Sequence, residues 1–248
     1  MRNIAPSRAL TRRSQQLMTL ALVVAAAGVF VTALGIFFRV IPLFGGTGTS
    51  GFQLQVTIAT LVLINGIVLL VVALIMFIRA RTWKVDNDLA MITGEALGRV
   101  LDDSYTFIRN VSKSAIGYVD AVLVGTPGVL VFRILDNQGS FANEGPNWLV
   151  LDQRSGDWMV APIRPTVECV ADVDKIREYL AKRGLPDVPI FGVVVFTKEE
   201  PYTVLRAKNP TVPITPLSAI MGNLQGNYLA ANRLDPVVAQ TVVDLLFK

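Results

Sequence analysis

The 248-residue chain has no histidine, a single cysteine and little charge, with Asp, Glu, Lys and Arg making up only 17% of it. Without histidine there is no Ser-His-Asp or Cys-His nucleophile system, no His-ligated zinc or haem, and no imidazole general base. The lone Cys169 forms neither an internal disulfide nor a thiolate metal cluster, and its neighbours Val167, Val170 and Val173 mark it as a buried thiol. Any catalysis has to use carboxylates, Lys or Arg, and hydroxyls. A soluble domain usually carries roughly 25% charged residues, so 17% charged beside 52% hydrophobic argues against a purely soluble globule. Acid is missing altogether from the first third. Residues 1–81 hold seven arginines (Arg2, Arg8, Arg12, Arg13, Arg39, Arg79 and Arg81) and no Asp or Glu. Residues 82–248 then hold 16 basic and 19 acidic residues, net −3, so the pI near 9.4 belongs to the first third alone. The rest of the chain lacks the basic surface that neutralises phosphates, which argues against nucleic acid as a partner.

What the first third has instead is two long apolar runs. In 17–38 the only polar residues are Thr19 and Thr32, and in 54–78 only Gln55, Thr57, Thr60 and Asn65. At 1.5 Å per residue, 22 residues reach about 33 Å, enough for a hydrocarbon core of about 30 Å. Two transmembrane helices are expected, joined by a flexible loop over 39–53 that carries Pro42 and four glycines. Small residues fall on one face of the first span (Ala21, Ala25, Gly28, Thr32, Gly35) and recur every seven in the second (Ala59, Gly66, Ala73). Such stripes let backbones approach closely in lipid, either in a hairpin or against a partner protein. Asn65 is expected to hydrogen-bond across that hairpin. Arginines before the first span, with Arg79, Arg81 and Lys84 after the second, place both termini in the cytoplasm of a plasma (inner) membrane protein. A cleaved signal peptide is the alternative for the first span, against which stand its length and the central position of Ala25-Ala26-Ala27.

Residues 82–248 alternate helical and strand patterns, in the expected order α-β-β-β-α-β. A helix is read over 86–102, strands over 106–110, 119–124 and 129–135, and short strands over 148–151 and 157–161. A helix over 165–183 starts at Pro165 and stops at Gly184, and its apolar stripe is Val170, Val173, Ile176 and Leu180. The run 190–197 is apolar throughout, as in a strand buried on both faces. Short extended pieces follow over 203–214, and Asp235 caps a last helix.

Within this pattern, Thr93-Gly94-Glu95, the hairpin Tyr118-Val119-Asp120-Ala121-Val122-Leu123-Val124-Gly125-Thr126-Pro127-Gly128-Val129-Leu130-Val131, Trp158 with Arg164-Pro165-Thr166-Val167-Glu168, and the strand Val193–Thr197 resemble the NERD (nuclease-related) domain in order and spacing. The resemblance covers roughly residues 90–225. It implies a restriction-endonuclease-like fold, hence a two-helix transmembrane hairpin (1–81) followed by a cytoplasmic α/β domain (82–248), a mixed sheet flanked by helices. It also implies a site in which a helical Glu, a strand Asp and a Glu-x-Lys pair hold Mg²⁺ and orient the attacking water. Glu95 and Asp120 match the first two positions, but the Glu-x-Lys positions are Arg133 and Leu135, and the family's helical Gln is Glu168.

Arginine does not ligate a metal, and leucine neither gives nor takes a proton. Of the family's metal-ligand positions only Glu95 and Asp120 keep a carboxylate, which makes a poor Mg²⁺ site with Arg133 as competing counter-ion, so neither a metal nor any other cofactor is expected. Instead Arg133 is expected to pair with Asp120 or Glu95. A migrated site would need Asp136 as a substitute carboxylate and Lys113 or Arg164 in place of the lysine. By the residues alone, the Gly-x-x-Gly turn is also ordinary hairpin grammar, Asp120 a satisfier of backbone groups and Glu95 a helix-surface residue. The expected function is a scaffold or accessory subunit of a membrane assembly. Its partners are the lipid bilayer and either another membrane protein or a second copy of the chain. The alternative is a metal-dependent nuclease tethered to the membrane.

Overall fold

The computed structural model describes residues 1–5, 8–43 and 48–247. It divides into two units, one of residues 9–85 and the other of residues 86–248 together with 1–8.

The first unit is built from two helices, α1 (Arg8–Val40) and the N-terminal part of α2 (Ser50–Gly98). Their segments Gln15–Val40 and Ser50–Thr82 are long and apolar enough to cross a membrane. Large apolar side chains such as Leu22, Phe30 and Leu54 point outward and are exposed, unlike the inward stripe of a soluble core helix. The linker is shorter than the expected 39–53, since α1 continues to Val40 and α2 begins at Ser50. Gly45, Gly46 and Thr47 of that linker lie outside the described residues.

The small residues are where α1 and α2 meet. Ala21, Gly28 and Gly35 on α1 are buried at intervals of seven, as are Ala59, Gly66, Ala73 and Ala80 on α2, while Ala25 and Thr32 flank the seam half-buried. A repeat of seven is that of a left-handed helix pair. The approach leaves no room for larger residues. A Cβ on Gly66 would stand 2.3 Å from Thr32 Oγ1, and one on Gly35 would stand 2.8 Å from Leu63 N. Asn65 does not bridge the pair. It lies one residue, or about 100°, from the buried Gly66, is exposed, and donates to Leu61 O of its own helix at 2.9 Å. The polar bridge is Gln55, which is buried. Its Nε2 donates to Phe38 O (2.6 Å) and Ile41 O (2.5 Å), and its Oε1 accepts from Leu43 N at 2.9 Å. Gln55 thus satisfies carbonyls that the end of α1 leaves without helical partners.

The boundary between the units falls inside α2. Instead of a separate helix over 86–102, α2 continues from the apolar segment to Gly98, because nothing in Arg79–Val85 (no Gly, no Pro) ends a helix.

The second unit contains two sheets. The larger has six strands in the order β1-β2-β3-β4-β8-β10, comprising β1 (Arg2–Ile4), β2 (Thr106–Lys113), β3 (Gly117–Gly125), β4 (Gly128–Leu135), β8 (Ile190–Phe196) and β10 (Ile214–Pro216). It is mixed. β2, β3 and β4 are antiparallel neighbours, whereas β1–β2, β4–β8 and β8–β10 are parallel. The smaller sheet has the order β7-β6-β5-β9, from β5 (Gly139–Glu144), β6 (Asn147–Leu151), β7 (Trp158–Val160) and β9 (Thr203–Lys208). Residues 2–4 are therefore not part of a tail. Ile4 pairs with Ile108 at the edge of the large sheet, and the Met1 amino group donates to Leu101 O at 2.9 Å.

One face of the large sheet (Ile108, Val111, Val122, Val131) is covered by α3 (Pro165–Ala181) and α5 (Pro236–Phe247). The other (Phe107, Ala121, Leu123, Phe132) is covered by Ala90 and Leu97 of α2 and by α4 (Ile220–Gly226). A third cluster, including Phe141, Trp148, Phe196 and Cys169, joins the two sheets. The expected hairpin turn is formed by Thr126-Pro127 between Gly125 and Gly128, whose φ of +129° favours glycine. Asp235 caps α5, its Oδ1 accepting from Val237 N at 2.7 Å.

Candidate functional site

The charged residues of the sheet segregate by face, and register decides the face. Arg109 stands opposite Ala121, which stands opposite Phe132, so these three share the α2 side of the sheet. Asp120 and Arg133 are their immediate neighbours along β3 and β4 and point to the α3 side. The β3–β4 ladder runs from Gly125–Gly128 to Ala121–Phe132 and stops there, while β4 continues beside β8 to Leu135–Phe196. Asp120 stands at that fork.

Asp120 is 6% exposed, and its Oδ2 accepts from the Ile134 N–H at 2.8 Å. Its Oδ1 lies 3.6 Å from Arg133 Nη1, and Arg133 Nη2 lies 2.5 Å from Glu168 Oε2. Glu168 comes from the first turn of α3, and the buried Asp172 follows one turn later with Lys175 Nζ at 2.8 Å. Burial works against the Arg133 charge. The fields of Asp120, Glu168 and Asp172 outweigh that and hold its pKa above the ordinary guanidinium value. Of the two pairings expected for Arg133, the one with Asp120 is formed. Leu135 ends β4 on the same side, its carbonyl accepting from Thr197 N at 2.8 Å.

Glu95 does not join this group. It is exposed on α2, across the sheet from Asp120, and the cation it faces is Arg109. Burial lowers the Arg109 pKa, and Glu95 partly offsets this. The substitutes for a migrated site are dispersed as well. Asp136 is exposed beyond β4, and Lys113 Nζ lies 5.9 Å from the Tyr179 ring, eleven residues or roughly 16 Å along α3 from Glu168. Arg164 is exposed just before α3. Among the described residues, no three His, Cys, Asp or Glu side chains are grouped so as to hold a metal ion.

Cys169 is buried between α3 and the sheet, its Sγ 3.8 Å from Val193 O. Burial, helped by Asp172, pushes its pKa up to about 12, so the thiol is neutral and inert at ordinary pH. The start of α3 is fixed by Trp148, whose Nε1 donates to Thr166 Oγ1 at 2.8 Å. Trp158, the tryptophan singled out from the sequence, is part exposed beside Arg206. Asp172 was not singled out from the sequence, although its i+4 spacing from Glu168 already placed both acids on one helix face. A cleft of about 790 Å³ lies where the smaller sheet meets the start of α3, lined among others by Asn143, Trp148, Val160, Arg164, Arg206 and Lys208.

Chemically, the Asp120 cluster is a charge-compensated tie between a strand fork and a helix. A permanently charged guanidinium fills the centre, and one carboxylate is committed to a backbone N–H. No family model, curated protein or solved structure matches the chain.

Proposed function

We propose that the protein is a membrane-anchored scaffold or accessory subunit whose α/β unit has a nuclease-like, NERD-related plan without nuclease chemistry. The observation that carries this reading is the position of Arg133, a fixed cation between Asp120 and Glu168 where a hydrolytic site would need an exchangeable metal and a base. The separation of Glu95 from Asp120 by the sheet supports it further. A plasma-membrane location with both termini in the cytoplasm is supported by the arginine distribution. It is supported also by β1. This strand precedes α1 yet pairs with β2, which follows α2, so both ends of the two-helix segment belong on one side of a bilayer. Cleavage after α1 would remove a strand of the sheet.

The test uses the full chain in detergent, since truncation before residue 82 also removes β1. Incubated with Mg²⁺ or Mn²⁺, it is expected to leave single- and double-stranded DNA and RNA intact. Metal-dependent cleavage that disappears in Asp120→Asn would establish the alternative, a membrane-tethered nuclease.

A further inference from the structure

Asn65 sits at the centre of Ser50–Thr82, roughly 24 Å from either end. The threonines of this segment satisfy themselves locally, and Gln55 is satisfied by the end of α1. Thr57 and Thr60 each donate their one hydroxyl proton to a carbonyl of the preceding turn, Gln53 O at 3.0 Å and Val56 O at 2.8 Å. A carboxamide has two donors and an acceptor. Asn65 places one donor on Leu61 O at 2.9 Å, and a helix interior offers no free N–H to its oxygen. The rest of the amide faces outward, at the depth where an unpaired polar group is most costly.

We propose that this face of α2 is the interface of a homodimer, in which Asn65 hydrogen-bonds to its counterpart in a second copy of the chain. Copies inserted with one topology lie parallel, so a two-fold axis along the membrane normal brings each residue to its own counterpart at equal depth. A carboxamide is self-complementary in that arrangement, giving donor to acceptor in both directions. The flanking residues form a seam. Ile58, Leu61, Asn65, Val68, Val72 and Ile75 are spaced alternately three and four apart, the period of a left-handed pair. Its apolar members are 42% to 56% exposed with α1 in place. Ile58 and Val72 occupy the positions equivalent to Asn65, and a single Asn at such a position sets register and oligomeric state. α1 packs on the Gly66 side of α2, so both contacts coexist.

The inference rests on the reading of α1 and α2 as membrane spans, and carbonate extraction of the membranes used tests that reading separately. In those membranes Leu61→Cys is expected to give a disulfide-linked dimer on oxidation. Ile67→Cys, exposed but about 200° from Asn65 on the helix, is expected to give none, and the buried Cys169 contributes nothing in either variant. Asn65→Leu is expected to weaken dimerisation of the full chain in detergent about ten-fold, the combined size of the two reciprocal hydrogen bonds, while Asn65→Gln largely retains it. Carbonate-resistant protein that is monomeric, an Asn65→Leu dimer as tight as wild type, or equal cross-linking at positions 61 and 67 overturns the interface alone. Release by carbonate overturns the membrane reading and the interface with it.

Discussion

Arg133 is the residue on which the α/β unit turns. Its guanidinium reaches a carboxylate from β3 and another from α3, and Asp120 is 6% exposed, so removing the cation takes a compensating charge from a buried carboxylate. Arg133→Met is expected to destabilise the protein by about 3–5 kcal/mol, read from denaturant unfolding of the detergent-solubilised chain. Adding Asp120→Asn should recover part of that loss, as a cycle between coupled residues does. Cys169 gives a prediction in pH. Its folded pKa of about 12 lies above the usual thiol value near 8.5. The thiol therefore contributes stability in full below about pH 8.5, and that contribution is lost as pH rises toward 12. The stability difference between wild type and Cys169→Ala should shift in favour of alanine across that window. Below it, alkylation of the wild type should follow unfolding. The Asp120–Arg133 pairing was legible in the sequence as one of two alternatives, because both residues lie at equal distances from a turn of readable length. The distance of Glu95 from them was not, since that depends on which sheet face α2 covers.

At the scale of elements, the α1–α2 pair depends on glycine and on one glutamine. A Cβ at Gly66 would meet Thr32 Oγ1 at 2.3 Å, so Gly66→Val is expected to cost more than about 2 kcal/mol, seen as a lower thermal midpoint in detergent. Gln55→Leu leaves the Phe38 and Ile41 carbonyls without its amide and should cost about 1–3 kcal/mol in the same assay. Deleting residues 2–4 strips the edge strand from β2, and the α/β unit should melt at lower temperature while the protein stays with the membrane fraction. The seven-residue spacing of small side chains was plain in the sequence. The role of Gln55 was hidden, because its partners lie 14 and 17 residues back, across a turn whose path the sequence does not specify. β1 was hidden too. Three residues carry too little pattern to read as a strand, and this one exists only because β2 offers it an edge.

At the scale of the molecule, the proposed topology rests on charge and connectivity. The loop is expected on the far side of the membrane from both termini, so Ser50→Cys should react with an impermeant maleimide in intact cells, with Cys169 buried and silent. Labelling only after permeabilisation would reverse the orientation. What is local could be read directly from the chain: two apolar runs of spanning length, the segregation of arginine to their flanks, the strands that read as continuous apolar runs, the helix start at Pro165 and the cap at Asp235. Hydropathy, charge and capping act over a few residues, so their record is contiguous. The folded molecule settled what is not local: that α2 continues to Gly98, that β5 and β9 belong to a second sheet, and that Glu95 and Asp120 lie on opposite sides of the first. Those outcomes follow from register and from pairing between distant segments. In a sheet, a shift of a single residue sends a side chain to the other face.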